Sequence, residues 1–210
     1  MTKIISLLNQ KGGCGKTTIS INLAYSFKKE GYKTLLVDTD PQGSARDWNA
    51  SNDGEILPVI GLDRESLATD IKAVKEGYDY IFIDGAPSIE KMLVAAVKIS
   101  DLILIPVQPS PYDIWATSDL VDLIKARQEV TEGKPLASFV ISRAIKNTKL
   151  SDEAREALKG YGLPVLRSYT TQKVVYPTQA SKGNTVFADE SNTASLEIES
   201  IKNEILEILG

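Results

Sequence analysis

Lys11-Gly12-Gly13-Cys14-Gly15-Lys16-Thr17-Thr18 lies between an apolar run, Lys3-Ile4-Ile5-Ser6-Leu7-Leu8, and a helix-periodic stretch that begins near residue 17. Few segments restrict a fold as tightly. A glycine-rich turn joining a strand to a helix opens a βα unit. Its glycines reach backbone conformations and close approaches that other residues resist. The N–H groups at the start of the following helix then form a natural cradle for an anion. The segment fits most of the phosphate-loop pattern G-x-x-x-x-G-K-[ST], in which the lysine reaches the β/γ-phosphates. One position departs from it. Five residues before Gly15 stands Gln10 rather than glycine, and Lys11 places a second cation inside the loop.

The rest of the chain repeats the strand-then-helix alternation. Near-continuous Ile, Leu and Val runs predict strands at 3–9, 33–38, 79–84, 101–107 and 136–142, with weaker candidates at 56–60 and 163–166. Such runs suit parallel strands buried on both faces. Helical periodicity falls at 17–30, 64–76, 88–99, 113–130, 151–161 and 194–209, and Gly31 and Gly77 follow two of these as left-handed caps. The expectation is an α/β fold: a single domain over residues 1–210 with a mainly parallel twisted sheet and helices on both faces. No N-terminal helix-turn-helix is expected, because the first strand starts at once.

Composition narrows the chemistry. The chain has one cysteine, Cys14, and no histidine. Internal disulfides, Cys₄ or Cys₂His₂ metal sites and a histidine base are therefore excluded. No apolar run approaches the roughly 20 residues that span a bilayer, and no cleavage signal precedes the loop, so a cytoplasmic protein is expected. The net charge is −4, but it is unevenly spread: from Lys134 to Lys182 there are nine basic residues against three acidic ones. That local excess points either to an anionic partner or to a solvated basic surface. The helix at 194–209 is amphipathic with an acidic polar face, which predicts docking onto the core rather than onto an anionic membrane.

The loop and two strand ends carry the candidate site. Lys16 is expected to neutralise the β/γ-phosphates and Thr17 to offer its hydroxyl to Mg²⁺, a hard ion that takes oxygen ligands. Thr18 is expected at the α-phosphate, with Lys11, Gly12, Gly13, Cys14 and Gly15 forming the rest of the cradle. The run Thr34-Leu35-Leu36-Val37-Asp38-Thr39-Asp40-Pro41-Gln42 puts two carboxylates at a strand end, where parallel sheets line their ligand crevice. Asp38 is expected to steady the metal's water shell and Asp40 to orient the attacking water. The alternative for both is a helix-cap or turn aspartate. The run Tyr80-Ile81-Phe82-Ile83-Asp84 ends in a carboxylate of the kind that holds Mg²⁺ directly or through water, and Gly85 after it allows close backbone approach to a γ-phosphate. Cys14 is read as a small side chain tolerated at a variable position, with an activated thiol at the helix start as the alternative. Trp115 is left open between core packing and a contact surface.

Together, K-G-G-x-G-K-T-T at Lys11–Thr18, D-x-D-P-Q at Asp38–Gln42 and the strand ending at Asp84 resemble the deviant Walker A ATPases, the ParA and MinD family of P-loop NTPases. The absence of an N-terminal DNA-reading domain and the segment Pro106-Val107-Gln108-Pro109-Ser110-Pro111-Tyr112-Asp113 are similar to the small ParA proteins of plasmid partition, ParF among them.

That resemblance implies a DNA-segregation ATPase using ATP and Mg²⁺, weak alone and stimulated by a centromere-binding or adaptor protein. Lys11 would cross a nucleotide-sandwich homodimer to the partner's ATP, offsetting the repulsion of two facing triphosphates and assisting Lys16 and Asp40 in catalysis. The dimer would bind DNA without sequence preference and associate with the nucleoid. Lys173 is the first DNA-contact candidate, followed by Arg167, Lys146, Lys149 and Lys182. The alternatives are positioning of a protein cargo and a membrane-cycling, MinD-like role, the latter disfavoured by the acidic terminal helix.

Overall fold

The computed structural model describes residues 1–87, 90–146, 148–189 and 192–210. Six strands form one sheet: β1 (Lys3–Leu7), β2 (Thr34–Asp38), β3 (Val59–Gly61), β4 (Tyr80–Asp84), β5 (Leu102–Val107) and β6 (Leu136–Ile141). Their order is β3-β2-β4-β1-β5-β6, and every pairing is parallel. The expected strand at 163–166 is reduced to a single bridge, Phe139 to Val165, at the edge beside β6.

Nine helices are seen among the described residues: α1 (Lys16–Lys29), α2 (Ser44–Ala50), α3 (Leu67–Val74), α4 (Glu90–Ile99), α5 (Pro111–Trp115), α6 (Ser118–Glu129), α7 (Leu150–Lys159), α8 (Val175–Ala180) and α9 (Thr193–Leu209). The first two positions of the helix expected at 88–99 lie outside the described residues. The helix expected at 113–130 is divided into α5 and α6. Thr117 Oγ1 donates to the Ile114 carbonyl at 2.7 Å, a local side-chain bond that competes with helix continuation. The short helices α2 and α8 escape periodicity altogether, since one or two turns carry too few apolar positions to register.

The sheet divides two cores by strict alternation. Leu35, Val37, Ile81, Ile83, Ile103 and Ile105 face one side, with α3, α4, α6 and α7. Leu36, Phe82, Leu102 and Leu104 face the other, with α1, α2 and α9. Each fully buried Leu, Ile or Phe contributes about 2 kcal/mol of transfer free energy, so burial on both faces fixes the register of the central strands. The terminal helix α9 docks on α1 through Ile198, Ile201 and Ile205, as its periodicity predicted. Asn192 caps it, with Oδ1 accepting from Ala194 N at 2.9 Å and Ser195 N at 3.1 Å.

Candidate functional site

The strand order reverses at β1, so the loop after β1 opens into the crevice at the C-terminal edge of the sheet. Parallel register brings Leu7, Asp38 and Asp84 level on adjacent strands. The glycine-rich loop starts from this edge and turns into α1 at Gly15, whose φ of 99° is left-handed and favours glycine. Three polar side chains that the sequence did not single out fix the loop. Asn9 accepts the Lys11 N–H at 2.9 Å and donates to the Pro106 carbonyl at 2.7 Å. Gln108 donates to the Gly13 carbonyl at 2.9 Å, and Ser142 to the Cys14 carbonyl at 2.5 Å. Gln108 lies within the 106–113 segment, but its role, like the Asn9 bond to Pro106 and that of Ser142, rests on a partner about 95 to 130 residues away in the chain.

Inside the loop, Lys16 is buried and its Nζ donates to the Lys11 carbonyl at 2.9 Å. Thr17 and Ser20 on the first turns of α1 both bond the Asp84 carboxylate, Ser20 at 3.2 Å. Asp84 is buried, and burial pushes its pKa up to about 7, with Asp38 adding to the rise and Lys16 opposing it. A carboxylate held so expensively beside a threonine hydroxyl suits a hard cation. Mg²⁺ keeps waters and phosphate oxygens and takes only one or two protein ligands. Thr17 and Asp84 are the residues that would hold it.

Asp38 and Asp40 part company in the structure. The buried Asp38 carboxylate accepts from Asp40 N at 3.0 Å and from Ala45 N and Arg46 N at 3.1 Å each. It therefore caps α2 and pins the turn, the alternative reading of this position, and three backbone N–H groups already engage its oxygens. Asp40 is free of such duty. Among the described residues its side chain accepts only Gln42 N, at 2.9 Å, and it shares a lobe of the cleft with Lys16 and Thr17. Arg46 braces the loop from behind, donating to the Asp40 carbonyl at 2.8 Å and pairing with Asp63 at 3.3 Å.

Gly85 differs from expectation in its physical reason. A Cβ there would lie 2.5 Å from Leu8 Cδ2 and 2.8 Å from the Leu7 carbonyl oxygen. The immediate demand for glycine is thus the packing of β4 against β1. Cys14 is fully buried, its Sγ donating to the Lys11 carbonyl at 3.3 Å, and burial pushes its thiol pKa up. The small-side-chain reading holds, and an activated thiol is ruled out.

Lys11 does not point into its own loop. Its Nζ lies 2.8 Å from Asp113 Oδ2, on α5, and the lysine side chain remains 38% exposed while that of Asp113 is 6% exposed. On the same helix, Tyr112 and Trp115 are exposed and meet edge to face at 5.6 Å. Trp115 is therefore a surface residue, not a core one.

The cleft has two connected lobes. The smaller, about 390 Å³, runs from Gly12 and Lys16 past Thr17 to Asp40 and Pro87. The larger, about 800 Å³, shares Gly15 and Thr18 with the first and extends over Ser142 and Ile145 to the wall Thr170–Pro177. Phosphate donors thus line one end and a roomier, more apolar space the other.

Two residues of the basic stretch pair with the acidic face of α9. Lys173 is mostly buried, pairing with Glu197 at 2.5 Å and donating to Thr193 at 2.5 Å. Arg167 pairs with Glu204 at 3.5 Å and with Glu207 at 3.0 Å. Lys173 is thus held against α9, whereas Arg167 pairs with α9 at the surface and stays 78% exposed. Lys146, Lys149 and Lys182 are exposed and have no ion pair among the described residues. Arg143 is exposed at the cleft mouth and lines both lobes.

Comparison with known proteins agrees with this geometry. The family model described as the CobQ/CobB/MinD/ParA nucleotide binding domain matches residues 5–186. Maintenance of carboxysome distribution protein A from Halothiobacillus neapolitanus is 30% identical over 208 residues, covering 96% of this chain and 95% of that protein. Apo McdA of Cyanothece superposes with a TM-score of 0.81 at 16% identity, covering 98% of this chain and all of the other. The septum site-determining protein MinD from Pyrococcus horikoshii, complexed with Mg-ADP, superposes at 0.76 with 18% identity, covering 100% and 98%. With its phosphate loop, paired strand-end carboxylates and parallel sheet, the chain belongs to the CobQ/CobB/MinD/ParA family of nucleotide-binding domains.

Proposed function

We propose that the protein is a positioning ATPase that binds ATP with Mg²⁺, pairs into a nucleotide-sandwich homodimer, and in that state binds DNA without sequence preference. The observation that carries this reading is the outward placement of Lys11. Lys16 already supplies the loop's inward cation, and Lys11 sits at the rim on Asp113, half exposed. A second lysine there is positioned to meet the triphosphate of a facing copy, where concentrated negative charge needs a counterion.

The smaller lobe takes the triphosphate: loop N–H groups and Lys16 bind it, and Thr18 contacts the α-phosphate. The larger lobe takes the nucleoside. Thr17 and Asp84 would hold Mg²⁺, which would supply charge neutralisation of the triphosphate. Asp40 orients the attacking water, held in place by the turn that Asp38 caps and Arg46 braces. Lys11, Lys16 and Asp40 form the catalytic set, and a centromere-binding or adaptor protein accelerates turnover. Loss of the γ-phosphate contacts then releases the dimer and its DNA.

A protein body is favoured as cargo by the relative from Halothiobacillus neapolitanus, whose name assigns it to carboxysome distribution and which matches nearly the whole chain. A MinD-like membrane role is disfavoured, because the apolar face of α9 is spent on α1. The test is sedimentation velocity with and without ATP, paired with cosedimentation on non-specific duplex DNA and on anionic liposomes. Dimerisation and DNA pelleting with ATP alone are expected. A protein that stays monomeric with ATP, or pellets with liposomes but not DNA, overturns the reading.

A further inference from the structure

We propose that Glu197 of α9 is a positioning residue that sets the nucleoside side of the nucleotide cleft. This rests on assigning the larger lobe to the nucleoside. The wall of that lobe, Thr170–Pro177, has little regular structure of its own: one bridge from Ala144 to Thr171 and the first turn of the short helix α8. Backbone bonds fasten Thr170 and Gln172 to Ile141 and Ala144, but among the described residues no further ladder bond holds the wall between Gln172 and α8, so side chains must place that part.

Glu197 supplies the placement. One oxygen accepts from Thr171 Oγ1 at 2.6 Å and from Lys173 Nζ at 2.5 Å; the other accepts from Thr171 N at 3.1 Å and Tyr176 OH at 3.0 Å. Four donors from three wall residues thus converge on one carboxylate. Bonds to a charged acceptor are the strong ones, roughly twice a neutral pair. Tyr176 is buried, and burial together with the Glu197 charge raises its phenol pKa, which keeps it a donor. Lys173, Thr171 and Tyr176 all line the larger lobe.

The other side of α9 packs on α1, the helix that the phosphate loop opens, toward that helix's C-terminal end. Ser26 on α1 donates to Glu199 at 3.0 Å, and Ile198 and Ile201 pack in the core that α1 shares. The helix that grips the nucleoside wall is therefore the helix that backs the phosphate-loop helix. Glu197 fixes the distance between the two halves of the site without touching the nucleotide.

A merely structural glutamate would not discriminate between ligands, and this separates the alternatives. Affinities for ATP and for inorganic tripolyphosphate, both with Mg²⁺, are to be measured on the full chain and on Glu197→Gln. The substitution removes the charge and places an NH₂ among donors. ATP affinity is expected to fall about tenfold, with tripolyphosphate unchanged within twofold. Tyr176→Phe, which deletes one donor and keeps the Lys173 pair, gives a milder variant should Glu197→Gln fold poorly, with a threefold selective loss expected. Parallel losses for both ligands, or no loss for either, would overturn the proposal. Equal affinity of the unaltered protein for ATP and tripolyphosphate would be a different failure, that of the lobe assignment itself.

Discussion

Lys11 and Asp113 are joined at 2.8 Å across 102 residues of chain, the lysine partly in solvent and the aspartate buried beneath it. The second oxygen of Asp113 has no hydrogen-bond partner among the described residues. The pair therefore holds the loop's extra cation on its own subunit by one bond, competing with any anion that a second subunit brings. Transfer of Lys11 to that anion gives up this ion pair, leaving the buried Asp113 carboxylate without its counterion, in exchange for contact with a polyanion.

Lys11→Ala is expected to bind ATP as a monomer and to show no ATP-dependent dimer in sedimentation velocity. It also leaves a buried carboxylate without a counterion, so its melting temperature should fall by a few degrees. Adding Asp113→Asn should restore the melting temperature but not the dimer. A single Lys11→Ala variant that dimerises normally would remove the lysine from the interface.

Asp113→Asn alone makes the opposite prediction. With the competing charge gone, Lys11 is released toward the facing subunit, and half-maximal dimerisation is expected at an ATP concentration lower by about two- to fivefold, since only differential stabilisation of one state shifts the balance. A midpoint that rises instead would mean that Asp113 presents Lys11 rather than restrains it.

The two strand-end aspartates should separate cleanly. Asp40→Ala removes a side chain whose only bond among the described residues is to Gln42 N, so the fold should survive, with ATP still bound. Turnover should fall about a hundredfold or more, the usual worth of a positioned acid–base group. Asp38→Ala strips three N–H bonds from a buried cap and should cost about 2–4 kcal/mol. Thermal melts and phosphate release on the two variants decide between these roles. Equal turnover in Asp40→Ala and the unaltered protein would sink the catalytic assignment.

Much of this site was legible in the sequence because its parts are local. The glycine-rich loop, the strand ending at Asp84 and the near-continuous apolar strands are each written in fewer than ten consecutive residues, and all six strands of the sheet were expected near their observed places. What was not legible depends on distant partners. Periodicity could not say that Glu197 and Glu204 would neutralise Lys173 and Arg167, so a local count of charge overstated the free basic surface. Nor could it say that Asp38 would spend its oxygens on α2, since a helix of two turns leaves no pattern. Gly85 was found for a ligand's sake, whereas its constraint in the fold is Leu8 and, immovably, the Leu7 carbonyl.

Gly85→Ala tests that last point. The added methyl would press on Leu8, which can shift, and on the Leu7 backbone oxygen, which cannot. Overpacking of this kind costs about 1–3 kcal/mol. The melt should drop by several degrees even without nucleotide, and Leu8→Ala in the same chain should recover only part of the loss. A variant as stable as its parent would return the explanation to the nucleotide.

The DNA contacts are tested by salt rather than by affinity alone. Neutralising a phosphate releases condensed counterions, so each contact contributes about 0.9 to the slope of log K against log salt on duplex DNA. Lys146, Lys149 and Lys182 are exposed without ion pairs among the described residues. Alanine at a contacting position should flatten the slope by about that amount per contact removed and weaken binding equally across unrelated sequences. Lys173→Ala should behave differently. It breaks a mostly buried pair with Glu197, so it should lower the melting temperature while leaving the salt slope of the folded dimer unchanged. If Lys173→Ala flattens the slope and the three exposed lysines do not, α9 must release Lys173 on dimerisation, and the DNA face lies over α8 and α9 rather than beside the cleft mouth.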